Sequence, residues 1–314
     1  MTSSVQTLSE RIRNNIGRVI VGKDDLIQKI IISCFCSGHV LLEDIPGTGK
    51  TTLAKALAKS VGCDFKRVQF TPDLLPSDVT GINFYHQKQE EFLLKKGPVF
   101  TDILLADEIN RATPRTQSSL LECMEERQVT IDGVTYPLSP LFLVIATQNP
   151  VETQGTFPLP EAQLDRFFMR LSMGYPAPES ERDILTHFME NSPLDSLSSV
   201  ASADELLTAQ REIRAVRVSD PVKDYLIAIV NATRSHPEIR LGVSPRGALA
   251  LMRASQGHAG VNGRDYVLPD DVKAVCGDVL PHRMICKGAN LLRQTGSADA
   301  VLKEILGSVP VPAE

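Results

Sequence analysis

A short apolar run, "HVLLE" (39–43), passes straight into "DIPGTGKTT" (44–52), and "KTTLAKALAKSVG" (50–62), with apolar residues at helical spacing, follows without a break. No other feature limits the fold of this chain as much. A buried strand feeding a glycine-bearing loop that opens a helix aims successive backbone N–H groups and the positive end of a helix at one spot, which suits a phosphate. Gly49, Lys50 and Thr51 meet the pattern G-x-x-x-x-G-K-[ST], while Asp44 stands where its first glycine belongs. Asp is among the residues that tolerate left-handed backbone angles, so the loop is expected to survive the exchange. Pro46, Gly47 and Gly49 shape the turn, and Thr48 and Thr52 complete the phosphate-binding stretch. Lys50 can reach the outer phosphates, and the Thr51 hydroxyl can hold Mg²⁺.

The surrounding pattern alternates. "DLIQKIIISCFCSG" reads as a helix stopped by Gly38, "FKRVQF" as a strand, and "DILLAD" and "LFLVIAT" as strands buried on both faces. Strands alternating with helices predict a largely parallel α/β sheet over about the first 172 residues. Two stretches interrupt it. "GINFYHQKQEEFLLKKGPVF" (81–100) reads as an inserted hairpin, and "QVTIDGVTYPL" (128–138) carries Asp-Gly between alternating residues, a hairpin turn signal. After "YPAPES" only helices are expected, at 180–190, 204–215, 221–235, 245–257, 269–279 and 298–306, forming a second domain.

Two more polar groups fall at strand ends. "DILLADEINRA" can place Asp107 in the shell of a magnesium ion and Glu108 beside an attacking water as general base. "LFLVIATQNP" ends on Asn149, able to orient the same water. Each stands at the carboxyl end of a predicted strand, the edge at which open α/β sheets bind ligands.

The stretches "VIVGKDDLI", "LLEDIPGTGKTTLAKALA", "VQFTPDLLPSDVTG", "DEINRATPRTQSSLLECMEERQVTIDG", "ATQNPVETQGTFPLPEAQLDRFFMRL" and "GVSPRGALALMRAS" run in this order from about residue 19 to 255. Together they resemble a AAA+ ATPase of the MoxR type. The resemblance implies an α/β P-loop core over 1–174, with hairpin insertions at helix 2 and before sensor 1, and a separate all-α lid over 175–314. Asp44 fits, because Glu-Asp commonly precedes the loop in that family. Gly22 matches the adenine-side contact, and Gln69 or Thr71 a polar restraint on Glu108. Arg166 in "LDRF" matches the arginine finger that reaches a neighbouring subunit's γ-phosphate, with Arg170 as its substitute. Arg246 in "SPRG" matches the sensor-2 arginine through which the lid feels the nucleotide. A hexameric ring binding ATP and Mg²⁺ is implied, acting to remodel or assemble partner proteins that often carry a von Willebrand factor A domain.

Charge and composition select among relatives. The net charge is −5, so no global basic excess draws the chain to nucleic acid or anionic lipid. A nucleic-acid motor or loader on the same core is therefore the second reading, and a chelatase-type motor subunit the third. The six cysteines show no C-x-x-C spacing, which predicts buried free thiols in a reducing compartment. The polar N-terminus lacks the apolar segment of a secretion signal, and "IIISCFCSGHVLL" is too short to span a bilayer, so a cytoplasmic protein without membrane insertion is expected.

Overall fold

A computed structural model describes residues 4–150, 154–190, 193–287 and 294–312, with side chains described for all of these except 187–190 and 294–297. In chain order, the first part consists of α1 (Ser4–Gly17), α2 (Asp24–Phe35), β1 (Val40–Glu43), α3 (Lys50–Val61), β2 (Phe65–Gln69), α4 (Pro76–Thr80), β3 (Gly81–His86), β4 (Glu91–Lys96), β5 (Ile103–Asp107), α5 (Pro114–Glu126), β6 (Gln128–Ile131), β7 (Val134–Pro137), β8 (Leu143–Gln148), α6 (Glu161–Leu164) and β9 (Met169–Leu171). Five parallel strands pair in the order β2-β5-β8-β1-β9. β5 is buried throughout and β1 and β8 nearly so, as their unbroken apolar runs require. β2 lies at the edge, where Lys66, Arg67 and Gln69 can project without burial.

Register levels the strand ends. Gln69 pairs with Asp107, Leu42 with Thr147 and Glu43 with Gln148. Because β8 lies between β1 and β5, the end of β8 separates the phosphate loop from Asp107 and Glu108. The two inserted hairpins are β3–β4 and β6–β7, the second turning through Asp132 and Gly133 at φ 48° and 81°. Both are the left-handed angles an Asp-Gly turn supplies. The hairpins touch where Asn83 Nδ2 donates to Asp132 Oδ2 at 2.9 Å.

The second part is helical, with α7 (Pro178–Glu190), α8 (Ala203–Ala215), α9 (Asp220–Ser235), α10 (Pro245–Val261), α11 (Pro269–Val279) and α12 (Gln294–Ser308). A small antiparallel ribbon, β10 (Ile239–Leu241) with β11 (Ile285–Cys286), adds to the helices where only helices were expected. One buried apolar cluster covers one face of the sheet and continues through α1, α2 and α3 into α8 to α11, and a second fills the other face under α5. All six cysteines are free, four of them buried, and burial pushes the Cys34, Cys123 and Cys276 thiols up to about 12.

His39, at the entry to β1, ties three elements together. Its Nδ1 accepts from the Val144 N–H at 2.9 Å, so Nε2 carries the proton and donates to the Met124 carbonyl at 3.0 Å. Burial, then the nearby Arg127 charge, push its pKa down to about 3, and burial beside Arg283 and Arg170 drives His282 down as well. A base whose folded pKa is depressed gives stability that is complete above its unfolded value near 6.5 and is lost as pH falls below it. One unit below that value each neutral histidine forfeits roughly 1 to 2 kcal/mol. Unfolding in urea is therefore expected to show a stability lower by about 2 to 3 kcal/mol at pH 5.5 than at pH 7.5. A flat profile over that range would show that both rings titrate normally in the folded chain.

Candidate functional site

The phosphate loop keeps its shape through two left-handed glycines, Gly47 at φ 82° and Gly49 at φ 94°, the latter leading into α3. Asp44 is not among the residues with positive φ. Its place in the loop therefore has another cause than the tolerance expected of it. The Asp44 carboxylate is buried and accepts three backbone N–H groups, from Ile45 at 2.9 Å on one oxygen and from Met173 and Gly174 at 2.7 and 2.8 Å on the other. It fastens the loop to the strap that leaves β9 for the helical part. Lys23 grips the same strap through the carbonyls of Met173 and Tyr175. Lys50 folds onto the loop itself, donating to the carbonyls of Asp44 and Ile45 at 2.9 and 2.8 Å. Gly22, at φ 70°, sits where a Cβ would come within 2.2 Å of Ser180 Oγ at the start of α7.

A cleft of about 370 Å³ opens over this loop, lined by Pro46 through Thr51 together with Asp107, Glu108, Thr147 and Asn149. Thr52, Gly22, Asp44, Arg166 and Arg246 do not line it. Thr51 and Asp107 present a hydroxyl and a carboxylate, oxygen ligands of the kind that a hard divalent cation takes. The Asp107 carboxylate is already paired with a cationic side chain: Arg67 approaches Oδ2 with Nη2 at 2.6 Å and Nε at 3.1 Å, while Thr147 Oγ1 donates to Oδ1 at 2.6 Å.

Glu108 ends the strand by a left-handed kink, φ 55° and ψ 50°, costly for a non-glycine residue and concentrated at functional positions. The kink is held by the Glu108 N–H donating to Thr147 Oγ1 at 2.8 Å. Glu108 Oε2 then accepts from Gln69 Nε2 at 2.7 Å and lies 3.0 Å from Arg111 Nε. Gln69 is thus the residue that restrains Glu108, while Thr71 hydrogen-bonds Asp73 instead. Arg67 and Thr147 escaped the sequence reading. Their signal was position alone: Arg67 lies two residues before Gln69 on the same strand face, and Thr147 two before Asn149.

The two distal arginines meet elsewhere. Glu125, at the end of α5, has Arg166 Nε 3.1 Å from one carboxylate oxygen and Arg246 on the other. They line a separate cavity of about 310 Å³ with Arg253 and Arg283. Arg246, expected as the arginine through which the lid feels the nucleotide, lies away from the cleft, on the face that carries Arg166. The cause is the seating of α10 against α2 and α8, with Ser244 at its N-cap donating to Asp165 Oδ2 at 2.9 Å. Asp165 Oδ1 in turn accepts from Arg283 Nε at 2.9 Å, so the segment bearing Arg166 is tied to the helical part at two points. Arg170 is partly buried in the sheet, near Glu43 at 3.6 Å and Asp299 at 3.8 Å.

Residues 39–169 match the family model described as ATPase family associated with various cellular activities (AAA), and residues 231–305 that of the AAA lid domain. The chain is 50% identical over 300 residues to YeaC of Bacillus subtilis, covering 96% of this chain and 93% of that protein. It is 41% identical over 321 residues to Chaperone MoxR1 of Mycobacterium tuberculosis, covering 99% and 84%. The crystal structure of a Cytophaga hutchinsonii protein superposes with a TM-score of 0.89 at 40% identity, over 98% of this chain and 96% of that one.

Proposed function

The chain belongs to the MoxR family of AAA+ ATPases, and from that premise we propose that it is a cytoplasmic, chaperone-like ATPase working as a hexameric ring, whose ATP cycle remodels or assembles partner proteins bearing a von Willebrand factor A domain. The lid begins at residue 175, on the strap gripped by Asp44 and Lys23. One observation carries the ring reading: Arg166 and Arg246 converge on Glu125, away from the cleft that holds Lys50, Asp107 and Glu108. Arginines so placed serve the nucleotide of a neighbour rather than their own.

The loop from Gly47 to Thr52 receives the phosphates, with Lys50 leaving its two loop carbonyls for the outer ones. Thr51 and Asp107 hold Mg²⁺, which neutralises charge on the transferring group when bound. Glu108 takes a proton from water that Asn149 orients. Contacts made by ATP and lost on hydrolysis then bias the position of the lid. The chaperone name of the mycobacterial relative and the net charge of −5 support a protein client.

A second reading, a nucleic-acid motor or loader, is favoured by the β3–β4 hairpin. It exposes Phe92, at 72%, and Tyr85, at 51%, on the hairpin that also carries Lys95 and Lys96, and a surface combining aromatic rings with cations suits single strands. Titrating DNA into an ATPase assay at two salt concentrations separates the two. Turnover is expected to stay unchanged, while a partner bearing a von Willebrand factor A domain is retained only with ATP. Strong stimulation by DNA at low salt that disappears on changing Lys95 and Lys96 to Ala selects the motor.

A further inference from the structure

Arg67 and Gln69 project from one face of β2, level with the end of β5. Arg67 Nη2 donates both to Asp107 Oδ2 at 2.6 Å and to Gln69 Oε1 at 2.8 Å. With its oxygen facing the guanidinium, the Gln69 amide presents Nε2 to Glu108 Oε2 at 2.7 Å. The flipped amide would set NH₂ against a cation and oxygen against a carboxylate, so Arg67 fixes the orientation in which Gln69 can hold Glu108. Four side chains form one line of charge and hydrogen bonds: Asp107, Arg67, Gln69, Glu108.

We propose that Arg67 is the resident counter-ion of Asp107, competing with the divalent cation for that carboxylate, and that this competition sets the restraint on Glu108. The proposal rests on the reading of Asp107 as a metal ligand. One carboxylate oxygen cannot give its full charge to a guanidinium and a divalent cation together, and the two cations repel. Once Arg67 leaves Oδ2, Gln69 loses the donor that orients its amide. Glu108 then keeps only its ion pair with Arg111, at 3.0 Å, against turning toward water. The base is held while the metal is absent and released when metal and nucleotide are present, so Arg67 acts as a positioning residue through Gln69.

Binding rather than turnover tests this. The affinity of the full chain for a fluorescent ATP analogue is measured with Mg²⁺ and with EDTA, and the ratio of the two is compared among variants. Arg67→Met removes the competing charge and keeps an apolar stem. Its ratio is expected to rise on the order of tenfold, since an opposite charge in contact shifts a carboxylate equilibrium by about one to three logarithmic units. Arg67→Gln, also neutral, carries the same expectation if the Met variant does not fold. Arg67→Lys keeps the charge, and its ratio is expected to lie nearer the native value than that of either neutral variant. Asp107→Asn should abolish the magnesium response. A retained response in Asp107→Asn removes the metal reading and the proposal with it. A lost response there, with an unchanged or lower ratio in the neutral Arg67 variants, overturns the proposal alone.

Discussion

Arg166→Ala leaves ATP binding intact and lowers steady-state turnover about a thousand-fold or more, the contribution of arginine fingers in related phosphoryl transfers. The loss is expected to be this large because the cleft supplies the phosphate loop, the metal ligands and the base, while Arg166, like Arg246, is absent from its lining. Activity of the native chain should accordingly rise with protein concentration as rings assemble. Mixing gives the sharper test. Subunits carrying Arg166→Ala and subunits carrying Lys50→Ala are each inactive alone, yet together they form some interfaces with an intact loop on one side and an intact finger on the other. Partial recovery is the expected result. No recovery in mixtures shown to co-assemble would falsify the assignment. Arg170 is a poor substitute, since it is only partly exposed and lies between Glu43 and Asp299 within one subunit. Replacing it is expected to destabilise the fold instead, with no rescue by mixing.

Glu108→Gln is expected to bind ATP with Mg²⁺ normally and to release phosphate at least about 100-fold more slowly, because a positioned base contributes roughly that much. The substitution is mild structurally. The Gln side chain can still accept from Gln69 Nε2 through its carbonyl oxygen, and the kink at φ 55° depends on the Glu108 N–H to Thr147 bond, which the change does not touch. Lys50→Ala should instead weaken nucleotide binding, which separates a binding defect from a chemical one. Near-native phosphate release by Glu108→Gln would transfer the role of base to another group.

What could be read in advance follows from how far each contact reaches along the chain. The phosphate loop, the acid and base after "ILLA" and the polar end of β8 are local events, each a strand that stops on a functional residue, and the structure brings them around one cleft. Asp44 was placed in the loop for the wrong reason, because the N–H groups it binds on Met173 and Gly174 lie 129 and 130 residues away. Arg67 reads as an ordinary exposed residue of an edge strand until Asp107 is brought beside it by parallel pairing. Where Arg246 lies depends on where α10 sits, a property of packing that helical periodicity does not contain. The first helix is a different case. Val5, Leu8, Ile12 and Ile16 recur at helical spacing and are buried, but the polar residues between them hid the pattern. β9, at three residues, is too short to announce itself.

The apolar cluster that runs from α1, α2 and α3 into α8 to α11 limits the kind of stroke this ATPase can deliver. At Gly257 of α10 a Cβ would come within 2.7 Å of Ile32 Cγ2 and Cys36 Sγ, so that helix and α2 interlock with no spare room. Swinging the lid open like a door would pull such surfaces apart, and exposing a few hundred Å² of them costs on the order of 10 kcal/mol. Sliding them by a fraction of a helical turn keeps them covered. A lid motion driven by ATP would therefore be short and stiff: small displacements, transmitted with little loss through α1 and α2 to the back of the sheet, rather than a wide sweep about a loose joint.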